Sequence, residues 1–130
     1  MQLPRKGALC IITSSIKDVM VLRQHGFPAI CFNGETYGST KGSDSGKVVA
    51  AIIEVLRKRF KRVMLFLDND EAGIKASIKW ERNYSIPYAV LKTPGLKDVS
   101  DYQKRNGPHK TFRTIKRIIS KTFKEHGTPY

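Results

Sequence analysis

Residues 63 to 74 join an apolar run to two closely spaced carboxylates, and they constrain the fold more than any other part of the chain. Val63 to Leu67 is an unbroken run of five apolar residues, without the alternation expected of a strand that faces water on one side. This pattern predicts a strand from Val63 to Asp68 that is covered on both faces, as in a parallel sheet. Because side chains two residues apart on an extended chain point the same way, Asp68 and Asp70 can converge on one cation.

The two aspartates also admit simpler interpretations, which the sequence alone leaves open. Asp70 is well placed to cap a helix that begins at Glu71, and Asp68 can be a solvated strand end. A calcium loop of the EF-hand type is excluded, because its fifth position is Ala72 and its twelfth is Lys79 rather than glutamate. We favour a Mg²⁺ site, since this ion takes one or two protein carboxylates and fills its remaining positions with water and phosphate.

The whole sequence alternates strand-like and helix-like segments. Strands are predicted from their apolar runs at Ala8–Thr13, Ala29–Phe32, Val63–Asp68 and Tyr88–Leu91. Helices are predicted from capping residues and apolar periodicity at about 15–25, 44–62, 71–84 and 99–106, with a basic C-terminal helix at about 109–126. This order predicts a compact, Rossmann-like α/β domain with a four-stranded, mainly parallel sheet flanked by helices. We expect a single domain over residues 1–130, with its core at about 7–106.

The chain is strongly basic, which restricts the class of partner. It has 24 Lys and Arg against 11 Asp and Glu, a net charge of +13 and an isoelectric point near 10. This excess is far larger than solubility requires and indicates an anionic polymer, which we take to be DNA or RNA. A membrane is a poorer partner, because the chain has no apolar stretch of about 18 residues and its C-terminal segment only weakly resembles a membrane-surface helix.

Basic side chains on the predicted helices are candidates for phosphate contacts. Lys41 and Lys47 flank the start of the second helix, where backbone N–H groups can bind an anion. This loop is not a P-loop, because Lys41 stands where that motif needs glycine and Val48 where it needs serine or threonine. Further nucleic-acid-binding candidates lie on the third and last helices: Lys75, Arg113, Lys116, Arg117 and Lys121. The alternative is that these side chains are solvated charges without a partner.

Several polar segments follow predicted strands, and we expect them to lie close together. In an open parallel sheet the carboxyl ends of the strands share one edge, where ligands bind at the point of strand-order reversal. That edge would gather Ser14, Glu35, Asp68 with Asp70, and the segment Asp98–Asp101. Acids packed this closely repel one another unless a cation lies between them, which favours a divalent metal. Phosphoryl transfer also needs a group that moves a proton, and Glu35 is our candidate for this role and for a further metal ligand.

Residues 68 to 76, with the sequence DNDEAGIKA, match the Asp-x-Asp-x-Ala-Gly-x-x-Ala pattern of bacterial and phage primases and primase-helicases. With this element and the predicted strand order, residues 7–106 resemble a Toprim domain. Toprim domains are the catalytic modules of primases, type IA and type II topoisomerases and some nucleases. The resemblance implies that Asp68 and Asp70 bind Mg²⁺, for which Mn²⁺ can substitute, and that both take part in catalysis.

The resemblance also implies a third acidic element, which in primases follows the last strand as a Lys-Asp or Asp-Pro-x-Asp segment. Lys97–Asp101 matches this element. Within it Asp98 is the stronger candidate for a metal ligand, and Asp101 is a further motif position. Together with the aspartate pair, this element implies primase-type nucleotidyl transfer, the reaction that makes RNA primers in DNA replication.

The first motif of the chain departs from the family pattern. Toprim domains begin their first helix with Glu-Gly-x-x-Asp, and here Ser14 and Ser15 replace the glutamate and the glycine while Asp18 retains the aspartate. Either Glu35 supplies the missing carboxylate, or the domain has lost its chemistry and binds nucleic acid without transforming it. We favour the first alternative, because a pure binding module would have no use for the retained metal ligands.

The leading expectation is therefore Mg²⁺-dependent phosphoryl transfer on nucleic acid, with a binding module and a small Toprim nuclease as alternatives. The expected partners are DNA or RNA and nucleoside triphosphates, together with a helicase or a zinc-binding primase domain, and no membrane. The resemblance implies a location in the cytoplasm of a bacterial or phage-infected cell.

Overall fold

A parallel sheet of four strands forms the centre of the described structure. The computed structural model describes residues 3–32 and 42–125. Its strands are β1 (Gly7–Thr13), β2 (Ala29–Cys31), β3 (Phe60–Phe66) and β4 (Tyr88–Ala89). Its helices are α1 (Ile16–Gln24), α2 (Asp44–Arg59), α3 (Glu71–Tyr84), α4 (Val99–Asn106) and α5 (Pro108–Glu125). The strands lie in the spatial order β2-β1-β3-β4 and every adjacent pair is parallel, which confirms the predicted α/β architecture.

Strand β3 lies in the interior of this sheet, as its unbroken apolar run predicts. Its side chains are buried on both faces, those of Val63 and Leu65 on one side and those of Met64 and Phe66 on the other. The strand begins at Phe60 rather than Val63, because Phe60 pairs with Gly7 at the start of β1. It ends at Phe66, so Asp68 lies just beyond the strand rather than within it.

Helices cover both faces of the sheet. On one face α1, α4 and α5 contribute buried side chains such as Leu22 and Ile115. On the other face α2 and α3 contribute buried side chains such as Val49 and Trp80. Because the chain passes from β1 to β2 over one face and reaches β3 over the other, the strand order reverses between β1 and β3. Open parallel sheets bind their ligands beside such a point, at the carboxyl ends of the strands.

Gly73 allows helix α3 to begin against the end of β3. A Cβ atom placed on Gly73 would lie 2.1 Å from the carbonyl oxygen of Asp68, far inside the normal contact distance to a backbone atom. Asp70 caps the same helix, because its Oδ1 accepts a hydrogen bond from the Gly73 N–H at 2.8 Å. This close approach fixes where α3 begins relative to Asp68.

We expect Gly73→Ala to destabilise the protein by about 1–3 kcal/mol, because the added methyl group forces α3 away from the strand end. Gly42→Ala is the matched control, since a Cβ atom on Gly42 meets no atom within 4 Å. Urea unfolding of both variants measures the two changes in the free energy of unfolding. Equal values for the two variants would show that the contact at Gly73 does not constrain the fold.

Candidate metal centre

Three carboxylates meet at the carboxyl edge of the sheet, beside the point where the strand order reverses. Asp18 lies in α1, Asp68 follows β3, and Asp98 caps the start of α4. Each offers an oxygen within 4.8 Å of those of the other two. Oxygen ligands lie about 2.1 Å from a Mg²⁺ ion, so opposite ligands are about 4.2 Å apart. A shift of about half an ångström would therefore bring the three oxygens onto one ion.

Asp18 is the most deeply buried of the three, with no exposed surface. Its Oδ1 accepts hydrogen bonds from the backbone N–H of Ser100 at 3.2 Å and from Ser100 Oγ at 2.7 Å, and its Oδ2 accepts one from Ser15 Oγ at 3.1 Å. Burial raises the pKa of Asp18; the Ser100 hydroxyl lowers it in part, and the neighbouring charge of Asp98 raises it further. A cation between these carboxylates would offset both the burial and the repulsion.

Asp68 is held through both its backbone and its side chain. Its N–H donates a hydrogen bond to Ser14 Oγ at 3.0 Å, which joins the end of β3 to the start of α1. Its Oδ2 lies 3.4 Å from the Nζ of Lys97. Because the residue is only 8% exposed, the ion pair replaces much of the hydration that a carboxylate would have in water.

Asp70 lies beside this cluster rather than in it. Its Oδ1 caps α3 through the N–H of Gly73, so the capping role that the sequence left open is present. Its Oδ2 lies 3.8 Å from the Nζ of Lys97, the same ammonium that contacts Asp68. The role of Asp70 as a metal ligand stays a prediction.

The structure brings together most of the predicted site residues that it describes. Asp68 and Asp98 belong to the cluster, Ser14 contacts the first of them, and the Asp101 N–H donates a hydrogen bond to Asp98 Oδ1 at 2.9 Å. Asp18, which the sequence marked only as a motif position, is the third member of the cluster. Its position in the first turn of a helix that starts at this edge is the signal that sequence analysis could have used.

The predicted basic candidates that the structure describes lie on exposed helix surfaces. Lys47 lies in the first turn of α2, and Lys75 forms an ion pair with Glu71 at 2.9 Å on α3. The other four are exposed on α5: Arg113, Lys116, Arg117 and Lys121. Glu35 and Lys41 lie outside the described residues.

Helix α5 separates an apolar side from a basic side. Ile115, Ile119 and Phe123 are buried against the sheet. Arg117 and Lys121 line a cavity of about 630 Å³ between α5 and the segment that begins at β4. In the part of the chain that the structure describes, no helix is long and apolar enough to cross a membrane. The basic side of α5 therefore presents a row of positive charge on a helix whose other side is fixed in the core.

We expect Ser100→Ala to destabilise the protein by about 1–3 kcal/mol at neutral pH, because the ionised Asp18 loses a buried hydrogen bond. Burial raises the pKa of Asp18, so its ionisation opposes folding as the pH rises above the pKa of the unfolded chain. The effect of the substitution should therefore shrink in acidic buffer, where Asp18 is protonated. Urea unfolding in neutral and acidic buffer measures this, with the exposed Ser120→Ala as control. A pH-independent effect would mean that Ser100 does not stabilise the carboxylate.

Two solved structures from bacteriophage T7 resemble the described fold. One is a chain of the lagging-strand DNA polymerase interacting with primase domains of two gp4 subunits bound to an RNA/DNA hybrid and dTTP. It has a TM-score of 0.64 and 18% identity over 88% of this chain and 55% of that chain. The other, the primase fragment of the primase-helicase protein, has a TM-score of 0.59 and 22% identity over 85% of this chain and 44% of that chain. The protein thus spans about half the length of these chains and shares their fold.

Sequence comparison identifies the family. A comparison with curated protein sequences gave no significant match. A family model described as Toprim-like matches residues 11–103, a range that contains Asp18, Asp68 and Asp98. The chain therefore belongs to the Toprim-like family.

Proposed function

We propose that this Toprim-like domain binds Mg²⁺ and catalyses phosphoryl transfer on nucleic acid, in the form of primase-type nucleotidyl transfer. The observation that supports this best is the convergence of Asp18, Asp68 and Asp98 at the carboxyl edge of the sheet. Carboxylates in so small a volume, one of them fully buried, are stable together when a cation neutralises them. All the donor atoms are carboxylate oxygens, which suit Mg²⁺ and also Mn²⁺.

Primer synthesis is the form of this reaction that the sequence and the similar structures favour. Residues 68–76 carry the primase pattern, and the similar solved structures are described as primase domains and a primase fragment. The proposed partners are a nucleic-acid template and nucleoside triphosphates. We propose that residues 1–130 form one domain and that a helicase or a zinc-binding domain acts with it, since the chain spans about half of those solved chains.

The protein's own side chains would position the ion and the polyanion. Asp18, Asp68 and Asp98 would hold the metal, with Asp70 as a further ligand. When bound, the ion would neutralise negative charge on the phosphoryl group that is transferred. The exposed basic residues would hold the phosphates of the nucleic acid, and they comprise Lys47, Lys75 and the four basic candidates on α5.

Glu35 is the proposed group for proton transfer. Ser14 stands where the family has its glutamate, and the Ser14 hydroxyl accepts a hydrogen bond from the Asp68 N–H. A serine hydroxyl that holds the backbone of Asp68 in this way is a poor substitute for a carboxylate base. Glu35 follows β2 in the sequence, and β2 lies directly beside β1 in the sheet. This adjacency supports Glu35 as the source of the missing carboxylate.

A nucleic-acid-binding module without catalysis is the second candidate. The replacement of the family glutamate by Ser14 favours it, because the basic surface of α5 needs no carboxylate to bind a polyanion. A small metal-dependent nuclease would use the same aspartates, with water instead of a ribose hydroxyl as the attacking group.

Asp68→Asn and Glu35→Gln are each expected to lower Mg²⁺-dependent ribonucleotide incorporation by about 100-fold or more, because they remove a metal ligand and the proton-transfer group. DNA binding should be unchanged in both variants. Incorporation on a single-stranded DNA template measures the effect, and Glu54→Gln, an exposed acid on α2, is the control. Metal-dependent cleavage of the template would favour the nuclease, and binding without any reaction would favour the binding module.

Replacement of Arg113, Lys116 and Arg117 together by alanine should flatten the salt dependence of nucleic-acid affinity. Each phosphate contact contributes about 0.7–0.9 to the slope of log affinity against log salt, so the slope should fall by about 2–3. Fluorescence anisotropy over a salt series measures it. The control variant loses the same charge at exposed positions on other surfaces: Lys58, Lys61 and Arg82. An unchanged slope in the α5 variant would identify its basic residues as solvated charges.

A further inference from the structure

Lys97 places a positive charge between the two aspartates of the Asp-x-Asp element. Its Nζ lies 3.4 Å from Asp68 Oδ2 and 3.8 Å from Asp70 Oδ2. An ammonium group at these distances offsets the repulsion between the two carboxylates, which is part of what a metal ion would do there. The protein thus supplies a cation of its own at the edge where the sequence predicts a metal.

The backbone determines the position of this lysine. The Asn69 N–H donates a hydrogen bond to Lys97 O at 2.6 Å, which joins the segment before α4 to the loop between the two aspartates. The next residue, Asp98, caps α4 through the N–H of Asp101. The main chain of Lys97 is therefore fixed, while its side chain is 56% exposed and has room to turn away.

We propose that Lys97 is an internal counter-cation that competes with the divalent ion for Asp68 and Asp70. Asp68 belongs both to the cluster with Asp18 and Asp98 and to the ion pair with Lys97. A divalent ion that binds Asp68 meets a like charge nearby, so either the ammonium moves away or the ion binds more weakly. This inference rests on the proposed metal site and adds the residue that sets its affinity for metal in the free domain.

Mn²⁺ binding to the full chain, measured by the electron paramagnetic resonance signal of the free ion, tests this proposal. Lys97→Met is expected to bind Mn²⁺ on the order of tenfold more tightly than the wild type, or to bind an additional ion, because the competing charge is gone. Lys97→Arg keeps the charge and should stay within about twofold of the wild type. Lys79→Met removes an exposed lysine from α3 and is the matched control, with a change below about twofold because distant surface charges are screened.

The outcomes separate this inference from the metal site on which it rests. If the wild type binds Mn²⁺ and Lys97→Met binds it equally or more weakly, the inference is overturned while the metal site stands. If only Lys97→Met binds Mn²⁺, the inference is supported. If neither binds, both are overturned.

Two further variants locate the ion and check the result. Asp68→Asn combined with Lys97→Met should abolish the gained Mn²⁺ binding, and persistence of that binding would overturn the inference. Lys97→Gln repeats the test with a polar side chain and should also bind Mn²⁺ more tightly. Urea unfolding of each variant verifies that it is folded, which the exposure of Lys97 leads us to expect.

Discussion

The parallel pairing of β1 with β3 is the constraint on which the rest of the structure depends. Thr13 lies opposite Phe66 at the carboxyl ends of these strands, and Thr13 Oγ1 donates a buried hydrogen bond to Phe66 O at 2.7 Å. Just beyond this pair, Ser14 Oγ accepts a hydrogen bond from the Asp68 N–H. This register sets the start of α1 and the end of β3 together, and so it brings Asp18 and Asp68 to the same edge of the sheet.

The same edge concentrates negative charge, which the surrounding groups hold in fixed positions. Asp70 and Asp98 each use one oxygen to cap a helix, and the N-terminus of a helix favours a nearby carboxylate. Ser100 holds the buried Asp18, and Lys97 lies against Asp68. Because each carboxylate has a partner that fixes its direction, the cluster needs little rearrangement to bind a cation.

Much of this arrangement is predictable from the sequence because it is local. The apolar run of β3 and the cap at Asp70 are encoded by neighbouring residues. The contact between Asp18 and Ser100 is not, because it joins α1 to α4 across 82 residues and depends on how the helices pack. Strand β4 is likewise shorter than its apolar run predicts, since it ends at Ala89, opposite Phe66, where β3 also ends.

The central claim is that Asp18, Asp68 and Asp98 hold one divalent ion. Anomalous diffraction from a crystal of the protein grown with Mn²⁺ tests this most directly. We predict one anomalous peak at the carboxyl edge of the sheet, within bonding distance of an oxygen from each of the three aspartates. Side chains turned apart with no peak between them would contradict the claim.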